Sequence, residues 1–81
     1  QMQEDWPGAE RELKAVVDRE PDNLEFVLRL GVLNAEHYKK ARTPAERESA
    51  AKAAETWLKR ILEVQPDNAI ASAALQTVRG R

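Results

Sequence analysis

Apolar residues recur along this chain three and four positions apart, the spacing that places them on one face of an α-helix. Four segments have this pattern, and short stretches that contain Pro21, Pro44 or Pro66 separate them. No stretch alternates between apolar and polar residues with the period of two that is typical of a β-strand. The fold class that the pattern indicates is therefore all-α. The predicted helices cover residues 7–19, 24–42, 45–64 and 68–79.

Capping signals mark where the later helices begin. Either Asp22 or Asn23 is suited to cap the second helix, and the same pair of residue types recurs at positions 67 and 68 before the fourth. The segment from Thr43 to Glu46 places a hydroxyl, a proline and a glutamate in the order of a capping box. These signals predict three short turns between the four helices.

One of these turns occurs twice, at residues 20–23 and again at residues 65–68, and the copies are 45 positions apart (from 20 to 65). Apolar positions coincide at the same offset. The coinciding pairs include Ala9 and Ala54, Leu13 and Leu58, Val16 and Ile61, and Leu30 and Leu75. Self-similarity at a period of this size indicates an array of helical hairpins. Such arrays mostly offer surfaces to partners, so a binding function is expected.

The spacing of the repeated positions resembles the tetratricopeptide repeat, a helix-turn-helix family. The residues that carry the resemblance are Val27, Leu30, Gly31 and Asn34 in the second helix, Ala54 and Leu58 in the third, and Pro66. The resemblance implies an α-solenoid fragment with a concave groove lined by the second and fourth helices. A glycine inside a helix costs about 1 kcal/mol relative to alanine, so Gly31 is expected where the third helix approaches closely with Ala54.

The repeat departs from that family in length. Its period is 45 residues where the family unit has about 34, and the excess lies between Asn34 and Ala54. The second and third helices are therefore expected to form an elongated central hairpin. The order of helices also leaves the first and last without the partner that a whole array supplies, which predicts open ends.

The charge balance narrows the possible partners. The chain has 13 basic and 14 acidic side chains and a net charge of −1, so nothing in it favours nucleic acid. It has no cysteine, and its apolar runs are far shorter than the roughly 20 residues that cross a bilayer. We therefore expect no disulfide and no membrane insertion. The composition leaves the cellular compartment open.

The sequence gives little support for catalysis or for metal binding. His37 is the only histidine, and neither a second imidazole nor a thiol accompanies it, so we expect no metal site, no cofactor and no enzyme activity. A small-ligand or cofactor site between the long helices, with His37 and Tyr38 as polar contacts, is one alternative.

Basic residues cluster at the tip of the predicted central hairpin. The cluster consists of His37, Lys39, Lys40, Arg42 and Arg47. It either meets an acidic partner or complements the dipole at the end of the second helix.

The pattern that most suggests binding is a second apolar stripe on the second helix. It comprises Leu28, Val32 and Ala35 and is bordered by Glu25, Arg29 and Glu36. A helix with two apolar faces makes two contacts, the second of them with another helix of the domain or with a partner. With Ile70 and Ala73 of the fourth helix, this stripe is the predicted groove for a peptide or helical segment.

A structural role is the main alternative to an adaptor. The open ends of neighbouring copies would pair, with Leu75 and Val78 of one copy beside Leu13 and Val16 of the next. The chain would then be an assembly unit or an excerpt of a longer solenoid, and a homo-oligomer is expected.

Overall fold

Four helices make up the protein, as seen in a computed structural model that describes residues 6–79. They are α1 (Trp6–Arg19), α2 (Leu24–Lys40), α3 (Pro44–Val64) and α4 (Ala69–Arg79). Within residues 6–79 there is no strand, so the predicted all-α class is confirmed.

Asparagine side chains cap α2 and α4. The Asn23 side chain accepts a hydrogen bond from the Glu25 backbone N–H at 3.2 Å, and the Asn68 side chain accepts one from the Ala71 N–H at 2.9 Å. The sequence left Asp22 and Asp67 as alternatives to these caps. At the start of α3, Thr43 Oγ1 accepts from the N–H of residue 46 at 3.1 Å, as the capping signal predicted.

The C-terminus of α2 lies at Lys40, two residues before the predicted end. Ala41 is extended, with φ −64° and ψ 142°. The Arg42 N–H donates to a carboxylate oxygen of Glu46 at 3.3 Å instead of continuing the helix. Thr43 precedes a proline, which disfavours helical backbone at that position. The periodic pattern missed this because Ala41 continues the apolar stripe while its backbone has already turned.

The core is formed around α2, which contacts all three other helices. The α3 helix also contacts α4, whereas α1 contacts α2 alone among the described helices. All four helices contribute to one cluster of buried apolar side chains. Its members are Val17, Val27, Leu30, Ala35, Ala54, Leu58, Ile61, Ala71, Leu75 and Val78.

Gly31 lies where α2 and α3 approach each other closely. A methyl group added at this glycine would lie 2.6 Å from Leu58 Cδ2 and 3.4 Å from Trp57 Cβ. The predicted approach to α3 is therefore confirmed, although the nearest atoms belong to Leu58 and Trp57 instead of Ala54. The absence of a side chain at Gly31 lets the two long helices pack without displacing Leu58.

Asn34 is the buried polar residue of the core. Its side-chain amide donates to the Leu30 carbonyl oxygen at 3.0 Å and to a carboxylate oxygen of Glu10 at 3.4 Å. Because a buried amide without partners is costly, these bonds make its burial possible. The second bond connects α2 to α1.

The α2 and α3 helices are the longest of the described helices. The α2 and α3 helices have 17 and 21 residues, while α1 and α4 have 14 and 11. An ion pair of 3.5 Å between Arg79 Nε and Glu55 Oε2 places the end of α4 beside the middle of α3. The N-terminal half of α3 therefore lies beyond the last described residue of α4.

Candidate protein-binding site

The outer surface of α4 is apolar or uncharged over most of its length. Arg79 is the one charged residue of this helix. Ala71, Leu75 and Val78 are buried, while Ile70 and Ala73 are exposed. Ile70 keeps 60% of its surface accessible, which is unusual for a large aliphatic side chain in the described part of the chain. The uncharged outer surface of α4 is therefore a candidate contact surface.

The register of α4 orients this surface. Arg79 pairs with Glu55, so its flank of the helix faces α3. Ile70 lies nine residues earlier, which is two and a half turns, and this places it on the opposite flank. Because α4 also contacts α2, Ile70 is on the α2 side, with Ala73 and Thr77 at the following helical positions. We call the surface formed by α2 and this flank of α4 the α2–α4 groove.

The predicted apolar stripe of α2 is partly used in the core. Ala35 is buried, so it belongs to the packing of the domain and not to an open surface. Leu28 is half-buried and packs against the core cluster, and Val32 is half-buried. Leu28 and Val32 therefore remain partly accessible on α2, while Ile70 and Ala73 are exposed on α4.

Charged residues border the groove on the α2 side. Glu25 and Glu36 lie seven residues before and four residues after Val32, so both flank it on the helix surface. Arg29 Nη2 is 3.0 Å from Glu25 Oε2. Lys39 Nζ is 3.6 Å from Glu36 Oε2. All four side chains are solvent-accessible, and such exposed pairs exchange partners at little cost.

Two exposed features were missing from the sequence prediction. Val64, the last residue of α3, is 63% exposed. The apolar pattern does not predict that Val64 is exposed, because it assigns an apolar residue near a helix end to the buried face of the helix. The second feature is a cleft beside Tyr38 over the N-terminal half of α3. The sequence placed charged residues there without indicating a concave surface.

The only histidine is held at the α2–α3 turn. His37 Nε2 lies 2.8 Å from Glu46 Oε2. This hydrogen bond, together with that from the Arg42 N–H, holds the pKa of the Glu46 carboxyl below its ordinary value. The pairing joins the end of α2 to the first turn of α3. Within residues 6–79, no group of three or more potential metal-binding side chains occurs.

The α4 residues predicted to pair with a second copy lie inside the core. Leu75 is 8% exposed and Val78 is fully buried. The expectation that they dock beside Leu13 and Val16 of another copy is therefore wrong in its choice of α4 residues. The prediction was wrong because Leu75 and Val78 pack against the other helices of their own chain.

No family model, curated protein or solved structure matches this chain. None of the described helices combines the length and apolar character needed to cross a bilayer.

Proposed function

We propose that the protein is a non-catalytic adaptor that binds an apolar or amphipathic peptide segment in the α2–α4 groove. The observation that carries the proposal is Ile70, a large exposed aliphatic side chain on an uncharged flank of α4. With Ala73 and the partly accessible Leu28 and Val32, Ile70 would form an apolar strip, and contiguous apolar surface is typical of protein interaction sites. Burying one such side chain contributes about 1.5–3 kcal/mol, so Ile70 is the expected anchor.

A tetratricopeptide-like arrangement is part of this proposal. Two observations support it. The α2 helix packs between α1, α3 and α4, which is the neighbour relation that the resemblance implies. The repeated turns at residues 20–23 and 65–68 also share the same hydrogen bonds. In such an array the α2–α4 groove corresponds to the concave surface.

The charged border would determine how a bound segment is oriented. Glu25, Arg29 and Glu36 remain outside the apolar strip and accessible to solvent. Their charges alternate, so a partner with charges of both signs beside its apolar residues fits better than one of uniform charge. An acidic tail without apolar residues is a poor fit to this groove.

The test compares the peptide affinities of two variants, each with a substitution at a similarly exposed aliphatic residue. Peptides selected from a phage-displayed 12-residue library on the intact protein are the probes, and their affinities are measured by fluorescence anisotropy. Ile70→Asp should weaken the selected peptides at least tenfold, whereas Val64→Asp, at an equally exposed aliphatic residue, should leave affinity within twofold. Equal affinities for Ile70→Asp and the parent would overturn the proposal.

A structural assembly unit is the second candidate. The observation that favours it is the one-sided packing of α1, which contacts α2 alone among the described helices. Association through α1 would make the melting temperature rise with protein concentration. Sedimentation from micromolar to near-millimolar protein tests this candidate, because self-association would raise the sedimenting mass with concentration, and a constant monomer mass would exclude it.

A further inference from the structure

The apolar strip of the α2–α4 groove has little capacity for hydrogen bonds. Its side chains neither donate nor accept them. They are Leu28 and Val32 on α2, and Ile70 and Ala73 on α4. Thr77 follows Ala73 on the same flank of α4, and its hydroxyl already donates to the Ala73 carbonyl oxygen at 3.2 Å. A bound segment therefore finds few partners for its backbone among these side chains.

The backbone of the two groove walls is also engaged. Both walls are α-helices, and in the interior of a helix each N–H bonds the carbonyl oxygen four residues earlier. The described residues 6–79 contain no strand, so they offer no sheet edge to which an extended segment could add. An extended segment would therefore have no ladder of backbone partners in this groove.

An extended segment and a helix differ in what contact with this strip costs them. Each residue of an extended segment has one N–H and one carbonyl group, and those turned toward the strip lose water without gaining a partner. Gln76, the one amide side chain of α4, can bond only one or two of them. A helix satisfies its interior backbone groups within itself, so it can bury apolar side chains in the groove without this cost.

The spacing of the strip also fits a helix. Leu28 and Val32 are four residues apart on α2. On α4, Ile70, Ala73 and Thr77 follow one another three and four residues apart, and they rise about 10 Å, or two helical turns. Because α2 and α4 contact each other, these two rows run side by side. A helix lying along them presents its own side chains at the same spacing of three and four residues.

From these observations we infer that the partner segment in the α2–α4 groove is an amphipathic α-helix and not an extended chain. The inference rests on the proposed function, since it concerns the same groove. Apolar side chains three and four residues apart on the partner helix contact the strip, and one of them packs beside Ile70. The backbone groups of the partner remain bonded within its own helix.

The first experiment reads the spacing of the side chains that matter in the partner. The probe is the tightest-binding 12-residue peptide from the displayed library, and an alanine scan of this peptide is measured by fluorescence anisotropy with the parent protein. Positions at which alanine weakens binding at least fivefold should recur three and four residues apart. Positions that recur two residues apart would indicate an extended segment and overturn the inference.

The second experiment changes the backbone of the same peptide and leaves its contact side chains in place. A central residue at which alanine changes the affinity less than twofold is replaced by proline or by α-aminoisobutyric acid. Proline should weaken binding at least tenfold, because it removes a helical N–H and clashes with the preceding turn. α-Aminoisobutyric acid, whose second methyl group restricts the backbone to helical angles, should keep the affinity within twofold or increase it. Any other combination overturns the inference.

Failure of this inference is distinguishable from failure of the proposed function. If Ile70→Asp weakens the peptide and proline is tolerated, the groove stands with an extended occupant, and only the inference is overturned. If no library peptide binds, or Ile70→Asp has no effect, the proposed function is overturned and the inference with it. Binding that is weakened by Ile70→Asp and by proline in the peptide, and kept by Val64→Asp, supports both.

Discussion

The two helix pairs, α1–α2 and α3–α4, are joined by the same turn and yet are buried differently. In the first turn the Asn23 N–H donates to the Glu20 carbonyl oxygen at 3.0 Å, and in the second the Asn68 N–H donates to that of Gln65 at 3.0 Å. The asparagine side-chain amides also bond the side chains of residues 20 and 65, at 3.1 and 2.9 Å. Two turn sequences that differ only in their first residue have thus given the same hydrogen bonds across the turn. The cap bonds differ, because Asn23 accepts from the N–H of residue 25 and Asn68 from that of residue 71.

Equivalent residues of the two helix pairs are nevertheless buried to different extents. Leu58 and Ile61 of α3 are fully buried, whereas the equivalent Leu13 and Val16 of α1 are half-buried. The cause is the number of neighbours, because α3 contacts both α2 and α4 while α1 contacts α2 alone. The comparison teaches that the turn sequence determines local structure, while the number of neighbouring helices determines how deeply equivalent residues are buried.

The largest expected effect is at the equivalent leucines. Leu58→Ala should lower the free energy of unfolding by about 2–5 kcal/mol, because it leaves a cavity in the core. Leu13→Ala should cost less, about 1 kcal/mol, since Leu13 packs at the edge of the core and part of its side chain contacts solvent. Urea denaturation measures both. Equal losses would show that α1 is covered in solution, which would favour self-association.

Gly31 and Gln76 are equivalent positions with different surroundings. Alanine at either position improves intrinsic helix propensity, by about 1 kcal/mol for glycine. At Gly31 the new methyl group would overlap the buried Leu58, so Gly31→Ala should nevertheless destabilise the protein by about 1–3 kcal/mol. Gln76→Ala, at an exposed site, should be within about 0.5 kcal/mol of the parent. Thermal melts compare them, and an unchanged melting temperature for Gly31→Ala would contradict the close approach.

The turn caps should behave alike, in contrast to the leucines. Asn23→Ala and Asn68→Ala each remove one helix cap and one side-chain bond within the turn. Each should cost about 1 kcal/mol, because the interactions lost are local. The measurement is chemical denaturation of the two single variants. A difference of more than about 1 kcal/mol between them would mean that tertiary contacts also act on one turn.

The smallest effect is expected at the α2–α3 turn, which has no second copy in the chain. The folded Glu46 carboxyl has a lowered pKa, chiefly through its hydrogen bond with His37. Its stabilising contribution is therefore present above the ordinary carboxyl value of 4.5 and is lost as pH falls through the lowered folded value. Glu46→Gln should reduce the fall in melting temperature between pH 6 and pH 3. Glu48→Gln, at an exposed site paired with Lys52, is the control and should resemble the parent.

Part of the candidate site followed from periodicity and part did not. Ile70 and Ala73 were predicted for the groove and are exposed on α4. Ala35 was predicted with them but is buried, because the stripe that contains it also contacts another helix of the domain. The sequence allowed either a helix or a partner on that stripe. Periodicity shows that a face is apolar without showing what covers it.

The sequence by itself determined the four helices, the Thr43 cap and the repeated turn, because these depend on hydrogen bonds and side-chain spacing within a few residues. It left two candidates for each of the other caps, and the structure selected Asn23 and Asn68. It also determined the close approach at Gly31, since a glycine inside a helix is stable only where packing requires it. Tertiary structure alone decided which equivalent residues are buried, that Leu75 and Val78 face inward, and that a cleft opens beside Tyr38. These features depend on which helices lie side by side in the fold, which residue spacing along the chain does not determine.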